Sequence, residues 1–395
     1  VSLPMLPPAP SAASRLRRRL LLAGAAATAL TGLGGCGNPA PPPLAPPGPP
    51  RLRRLAEAAW PHRLAIGGTT AGGLSGIDYD ASTSEYLLLS DDRSDIDPAR
   101  FYTAHWPAPW AVPPAAADVV PLQRPGGGRW PDRRYAEAGV PVVDPESLRL
   151  RPGTGTLLWT GEGDLSRGFG PALYESGRDG RLLREFTLPA MFRPDPAQRR
   201  GPRDNLGLEG LALTPDGRHA WLAMENALIQ DGPVPTTRAA GGPCRLTRIA
   251  LDGGRATCQI AYLPDAIPLR PIVPGSHADN GVSEILMLDA DRMLVLERAY
   301  ATGAGNALRL YEIDTREAGD VLDIDALAAG NHRPAAKTLV ADFAALGLSR
   351  LDNIEGMCWG PPLPGGARLL VVVSDDNFNP LQTTRFAAFE FTDRP

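Results

Sequence analysis

The segment "NLGLEGLALTPDGRHAWLAMEN", residues 205 to 226, recurs in outline four more times, and that recurrence constrains the fold more than any other property of the chain. In each copy two short apolar runs flank a turn, the signature of an antiparallel hairpin. Folding this copy about Asp216-Gly217 places Glu209 almost opposite Glu225, because positions equidistant from a turn face each other across the ladder. The matching pairs are Ser75 and Asp91, Glu146 and Glu162, Glu284 and Glu297, and Glu355 and Asp375. Their first members are spaced by 71, 63, 75 and 71 residues.

Repeats of that length, with about four short strands per unit, predict radial repetition of small antiparallel sheets, an all-β β-propeller. The outer strands read as "RFYTAHW" and "ADVVPL" in unit one, "CRLTRIAL" and "ATCQIAYL" in unit three, and "ALRLYEID" and "AKTLVADF" in unit four. Unit five has only "TTRFAAFEF" after its hairpin, so "HRLAIGG", residues 62 to 68, is expected to supply its fourth strand and close the ring. The count is five blades, or six if an irregular one hides in the long connections. A two-sheet sandwich is the competing arrangement.

The first fifty residues stand outside this repeat. "SRLRRRLLLAGAAATALTGLGGC" joins arginines at 15, 17, 18 and 19 to an apolar run and small residues before Cys36, the anatomy of an export signal over residues 1–35. "LGGC" resembles a bacterial lipobox, which makes Cys36 the expected lipidation site and a membrane the expected partner through that anchor. A plain secretory signal and an N-terminal transmembrane anchor are the alternatives. The arginine cluster also loosely resembles a twin-arginine signal. Gly37 after the cysteine favours the outer membrane or periplasm if the cell is Gram-negative. Residues 36–59, opening with "GNPAPPPLAPPGPP", read as a Pro-rich tether, and the folded body as 60–395.

The formal net charge is −4, and loss of residues 1–35, which hold four arginines and no acids, leaves −8. An acidic body argues against nucleic acid as a partner. Five scattered histidines form no HxH or HExxH spacing, no GxSxG elbow is present, and the cysteines lack zinc spacing. Cys244 and Cys258 are expected to be too far apart along a regular hairpin for a disulfide, so free thiols are expected. Oxygen ligands, by contrast, are abundant. With the hairpins innermost, Asp91, Asp92, Glu146, Glu162, Glu209, Glu225, Glu284, Glu297, Glu355, Asp375 and Asp376 crowd one rim of a channel, with Asn226, Asn353 and Asn377 beside them. Crowded carboxylates raise one another's pKa unless a cation neutralises them. Hard divalent cations, calcium first and magnesium second, suit such a ligand set. Arginine pairing and strand capping are the competing uses of these acids.

The stretches "GGLSGIDYD", "LLLSDDRS", "RDNLGLEGLALTPDGR", "MENALIQDGP", "GVSEILML", "VLERAY", "DNIEGM" and "LVVVSDDNFN" together resemble the phytase-like domain family, also labelled esterase-like activity of phytase, over residues 62 to 392. The resemblance implies a β-propeller, an exported bacterial setting, and a link to propeller phytases that hydrolyse phosphate esters with calcium in an acidic channel. The chain departs from those phytases in lacking their phosphate-gripping lysines, since Lys337 is its only lysine. Arg93, Arg203 and Arg298 would have to substitute, binding phosphate bidentately. Two functions stay open: a metal-dependent phosphoesterase, or a non-catalytic calcium-stabilised propeller that binds a sugar, a phosphate or a protein.

Overall fold

The computed structural model describes residues 51–393. The expected export signal over residues 1–35 and the expected lipidation site Cys36 lie outside the described residues. Five four-stranded antiparallel sheets account for nearly all regular structure, and the described residues carry only single 3-10 turns as helix. Blade 1 comprises Leu74–Asp80, Glu85–Ser90, Arg100–His105 and Ala115–Pro121. Blade 2 comprises Pro145–Leu150, Leu157–Gly161, Ala172–Ser176 and Leu182–Phe186; blade 3 comprises Leu208–Leu213, His219–Met224, Cys244–Ala250 and Arg255–Tyr262. Blade 4 comprises Ala278–Met287, Arg292–Ala301, Gly305–Asp314 and Lys337–Asp342, and blade 5 Asn353–Trp359, Arg368–Asp375 and Arg385–Phe391. The first strands of successive blades lie side by side in a closed ring around the axis. The protein is a five-bladed β-propeller, with every outer strand read from the repeats in its expected place except the closing strand of blade 5.

The closing strand is Leu52–Ala59, which pairs antiparallel with Arg385–Phe391. This corrects the expectation for residues 62 to 68, part of which (Leu64–Ile66) instead forms a small ribbon with Thr69–Ala71. It also takes the last eight residues of the stretch read as tether. An outermost strand buries little: Arg53 and Arg54 are exposed and a bulge interrupts Arg54 to Ala56, so the segment carries almost no alternation to read. The closure nevertheless seals a full apolar layer, where Ile77 and Leu88 of blade 1 pack with Val371, Val373 and Phe386 of blade 5. Four comparable layers separate the other blades.

Every innermost strand bulges at the same height: at Ser75, within Glu146-Ser147, at Glu209, at Ser283 and at Glu355. Directly below, the strands come so close that side chains are nearly excluded. A Cβ on Gly356 would lie 2.9 Å from the Ser75 carbonyl oxygen, and one on Gly210 3.0 Å from the Ile285 nitrogen. One buried ion pair crosses the axis at this level. Arg149 lies 2.8 Å from Glu284 and donates to the carbonyls of Ile77, Ile285 and Met357 in blades 1, 4 and 5. Glu284 accepts from Leu211 N of blade 3 and Ser147 Oγ of blade 2. A single buried pair thereby binds all five blades at the axis.

Cys244, Cys258 and Cys358 are free thiols, as expected. Cys258 pairs opposite Arg248 and Cys244 opposite Tyr262, so the two thiols lie well apart along the hairpin.

Candidate acidic site at the propeller mouth

The bulges turn their residues toward one end of the axis, and the second strand of each blade ends at the same end. Three structural rings result. The bulge ring carries Ser75, Glu146, Glu209, Ser283 and Glu355. The ring at the ends of the second strands, and within that strand in blade 4, carries Asp91, Glu162, Glu225, Arg298 and Asp375. The ring just before the bulges carries Gly73, Asp144, Gly207, Gly281 and Asn353. The glycines there are required, because a Cβ on Gly207 or Gly281 would meet the Cγ of Glu162 or Glu225 at 2.6 Å.

The charged residues of these rings, with Asn353, line a cavity of about 940 Å³. Ligand oxygens approach within 4.8 Å of one another in three groups: Asp91, Glu355 and Asp375; Asp144, Glu146 and Glu162; Glu162, Glu209 and Glu225. The last two groups share Glu162. Of the acids expected at the rim, Asp91, Glu146, Glu162, Glu209, Glu225, Glu355 and Asp375 are therefore brought together. Asn226, Asn353, Asn377, Arg93 and Arg298 line the same cavity. Asn353 donates to Glu355 Oε1 and Asp375 Oδ2 at 2.9 and 3.2 Å.

Five predicted residues serve elsewhere. Glu284 lies one residue beyond the blade 4 bulge, so its side chain joins Arg149 in the axial pair, and Ser283 takes its place in the ring. Glu297 pairs directly across from Val282 and points out to Tyr262, Lys337 and Asn280, so the ring position falls to Arg298. Asp92 caps a turn by accepting from the amides of Asp95, Ile96 and Asp97 and binds Arg100, although it borders the cavity. Asp376 accepts from the amides of Gly73 and Phe378. Arg203 donates to the carbonyls of Ala227 and Gly232. Sequence reasoning missed Asp144, which sits at the repeat position filled by glycine in blades 1, 3 and 4; comparing the five copies at that position would have exposed it.

Burial and mutual repulsion dominate the electrostatics. Desolvation, reinforced by neighbouring carboxylates, holds Asp91, Glu146, Glu162, Glu209 and Asp375 well above the usual carboxylate range. Glu225 is pushed up to about 7 by burial, with Arg298 opposing the rise. Arg298 lies 3.4 Å from Glu225 and 3.5 Å from Glu355, and Arg93 contacts Asp144 and Glu162. Two arginines do not balance eight acids. The ligand set also fits a hard cation for a second reason: the side-chain oxygen of Asn226, 2% exposed, and that of Ser283, 3% exposed, are buried without a hydrogen-bond partner among the described residues.

A sequence model described as "Phytase-like: Esterase-like activity of phytase" matches residues 69–378. The chain belongs to the phytase-like family. No curated protein matches the phytase-like chain in sequence. Among solved structures it is similar to the catalytic domain of the GH62 α-L-arabinofuranosidase of Coprinopsis cinerea, at 11% identity and a TM-score of 0.44, with 87% of this chain and 98% of that one covered. A GH43 β-1,3-galactosidase gives 11% identity and a TM-score of 0.42, covering 84% and 96%. A protein of unknown function from Dyadobacter fermentans gives 11% and 0.41, covering 87% and 100%.

Proposed function

We propose that this phytase-like propeller is a divalent-cation-dependent phosphoesterase working at the acidic mouth. The observation that carries the reading is the three adjoining carboxylate groups, with one ring position converted to Arg298. Asp91, Glu355 and Asp375 would hold one cation, and Glu162 with Asp144, Glu146, Glu209 and Glu225 would hold others, calcium being the best match for flexible all-oxygen coordination. A bound cation would neutralise charge developing on a phosphoryl oxygen and lower the pKa of water. Arg298, on the blade 4 side where the carboxylates give way, and Arg93, opposite, would orient the ester's anionic oxygens. The buried acids would keep the empty site unfavourable to anions, so that ester binding depends on prior cation binding.

The test is turnover of an aryl phosphate by the purified protein with calcium and with chelator. Calcium-dependent turnover that falls by about tenfold or more in Glu209→Gln is the expected result. Calcium-dependent stabilisation without turnover would leave a binding propeller in place of an enzyme.

For location, we propose an exported lipoprotein anchored through Cys36, supported by the "LGGC" motif. The described chain starts at the end of blade 5 away from the mouth, since Leu52 pairs with Phe391 and Phe391 with Arg368, at the far end of the strand that finishes at Asp375. Detergent partitioning of the wild type but not of Cys36→Ser is the expected behaviour.

A further inference from the structure

A second cavity, of about 1180 Å³, opens over blade 2 on the same face as the acidic mouth and shares the side chain of Asp144 with it. Three connections wall it: the segments before blade 2, between its second and third strands, and after its fourth. Its lining joins apolar surface, with half-buried Phe169 and Leu188 at hand, to three polar side chains that have no polar partner among the described residues. Tyr174, only 4% exposed, packs its ring on Trp159, yet its hydroxyl makes no hydrogen bond to the described protein. Glu185, solvent-exposed at the cleft edge, stands directly across the strand pair from Tyr174 and forms neither an ion pair nor a side-chain hydrogen bond with the described protein. Arg193, also solvent-exposed, lines the same cleft and is likewise unpaired among the described residues.

We propose that this cleft binds a neutral sugar ring. The charges decide the class of ligand. An anion entering here would meet Glu185 and Asp144, and a cation would meet Arg124 and Arg193. A neutral ring bearing hydroxyls satisfies the carboxylate as a donor, the guanidinium as an acceptor and the phenol as either, while its C–H face packs on Phe169 and Leu188. The site lies beside the proposed phosphoesterase centre and does not depend on it.

The experiment titrates the purified protein with the methyl glycosides of glucose, galactose, mannose and arabinose, by calorimetry and ligand-observed NMR, in chelator. Saturable binding of at least one glycoside is expected, weakened about tenfold by Tyr174→Phe and by Glu185→Gln, each of which removes one hydrogen-bonding function and leaves the thermal midpoint in place. Failure of all four to saturate would overturn the proposal. So would affinities unchanged by both variants, or saturation by choline or inorganic phosphate in place of the glycosides. Because neither turnover nor calcium enters the titration, a silent phosphatase assay would not alter its outcome.

Discussion

Blade 4 departs from its neighbours at two residues, and both departures fall at the mouth. Where three blades place glutamate it has Ser283, and where four place an acid it has Arg298, held between Glu225 and Glu355. Arg298→Gln is expected to cut aryl phosphate turnover by about tenfold or more while tightening calcium, because a competing positive charge is gone; calcium affinity and kcat/KM measured on one preparation check both directions. The raised carboxylates make a second prediction. Without a cation, Glu225 ionises near pH 4.5 when unfolded and at about 7 when folded, so the native protein binds more protons between those values. Stability of the calcium-free protein should therefore be greatest below pH 4.5 as far as these acids are concerned and fall as pH rises toward 7, by about 1.4 kcal/mol per pH unit for each fully shifted group. Calcium, which favours the ionised acids, should flatten or reverse that slope. Denaturant midpoints from pH 5 to 7.5 with chelator and with calcium read it directly.

The bulged innermost strand is the element that makes the site. One extra residue in each first strand aims a side chain along the axis, and the glycine beneath it in blades 1, 3 and 5 lets the neighbouring backbone approach. Gly356→Ala is expected to destabilise by about 1 to 3 kcal/mol, since its Cβ would press on the Ser75 carbonyl oxygen, which is backbone and yields little. Gly253→Ala, where nothing stands within 4 Å of the added carbon, should cost far less in the same urea titration. The hairpins themselves were legible from alternation and turn residues alone. Their register in blade 4 was not, because a bulge flips which of two adjacent residues faces the axis, and Ser283-Glu284 and Glu297-Arg298 offer a polar side chain at either choice.

At the scale of the whole molecule two devices hold the ring: the strand Leu52–Ala59 and the pair Arg149–Glu284. Removing residues 51–59 should expose an edge of blade 5 and lower the thermal midpoint by many degrees, with increased aggregation as the accompanying sign. Breaking the axial pair by Glu284→Gln should cost about 3 to 5 kcal/mol, because buried Arg149 loses the one carboxylate in direct contact with it and keeps only Asp78, beyond ion-pair distance, to offset its charge. Its loss should also fall on the ring as a unit, with one cooperative transition at a lower denaturant midpoint, because the pair touches every blade.

Local patterning determined the class of fold, the number of blades and the identity of nearly all outer strands, since a half-buried strand writes its period into its own residues and a tight turn writes its demand for glycine, asparagine or aspartate. It also marked seven of the carboxylates that meet at the mouth. Tertiary structure alone decided which of two adjacent residues enters a ring, that Asp144 replaces a glycine there, that Glu284 becomes a structural counter-ion, and which N-terminal segment closes blade 5. Each of these depends on contacts between residues tens to hundreds of positions apart. An outermost strand with two exposed arginines, or a buried glutamate whose partner is an arginine 135 residues earlier in the chain, carries no mark of its role in the residues around it.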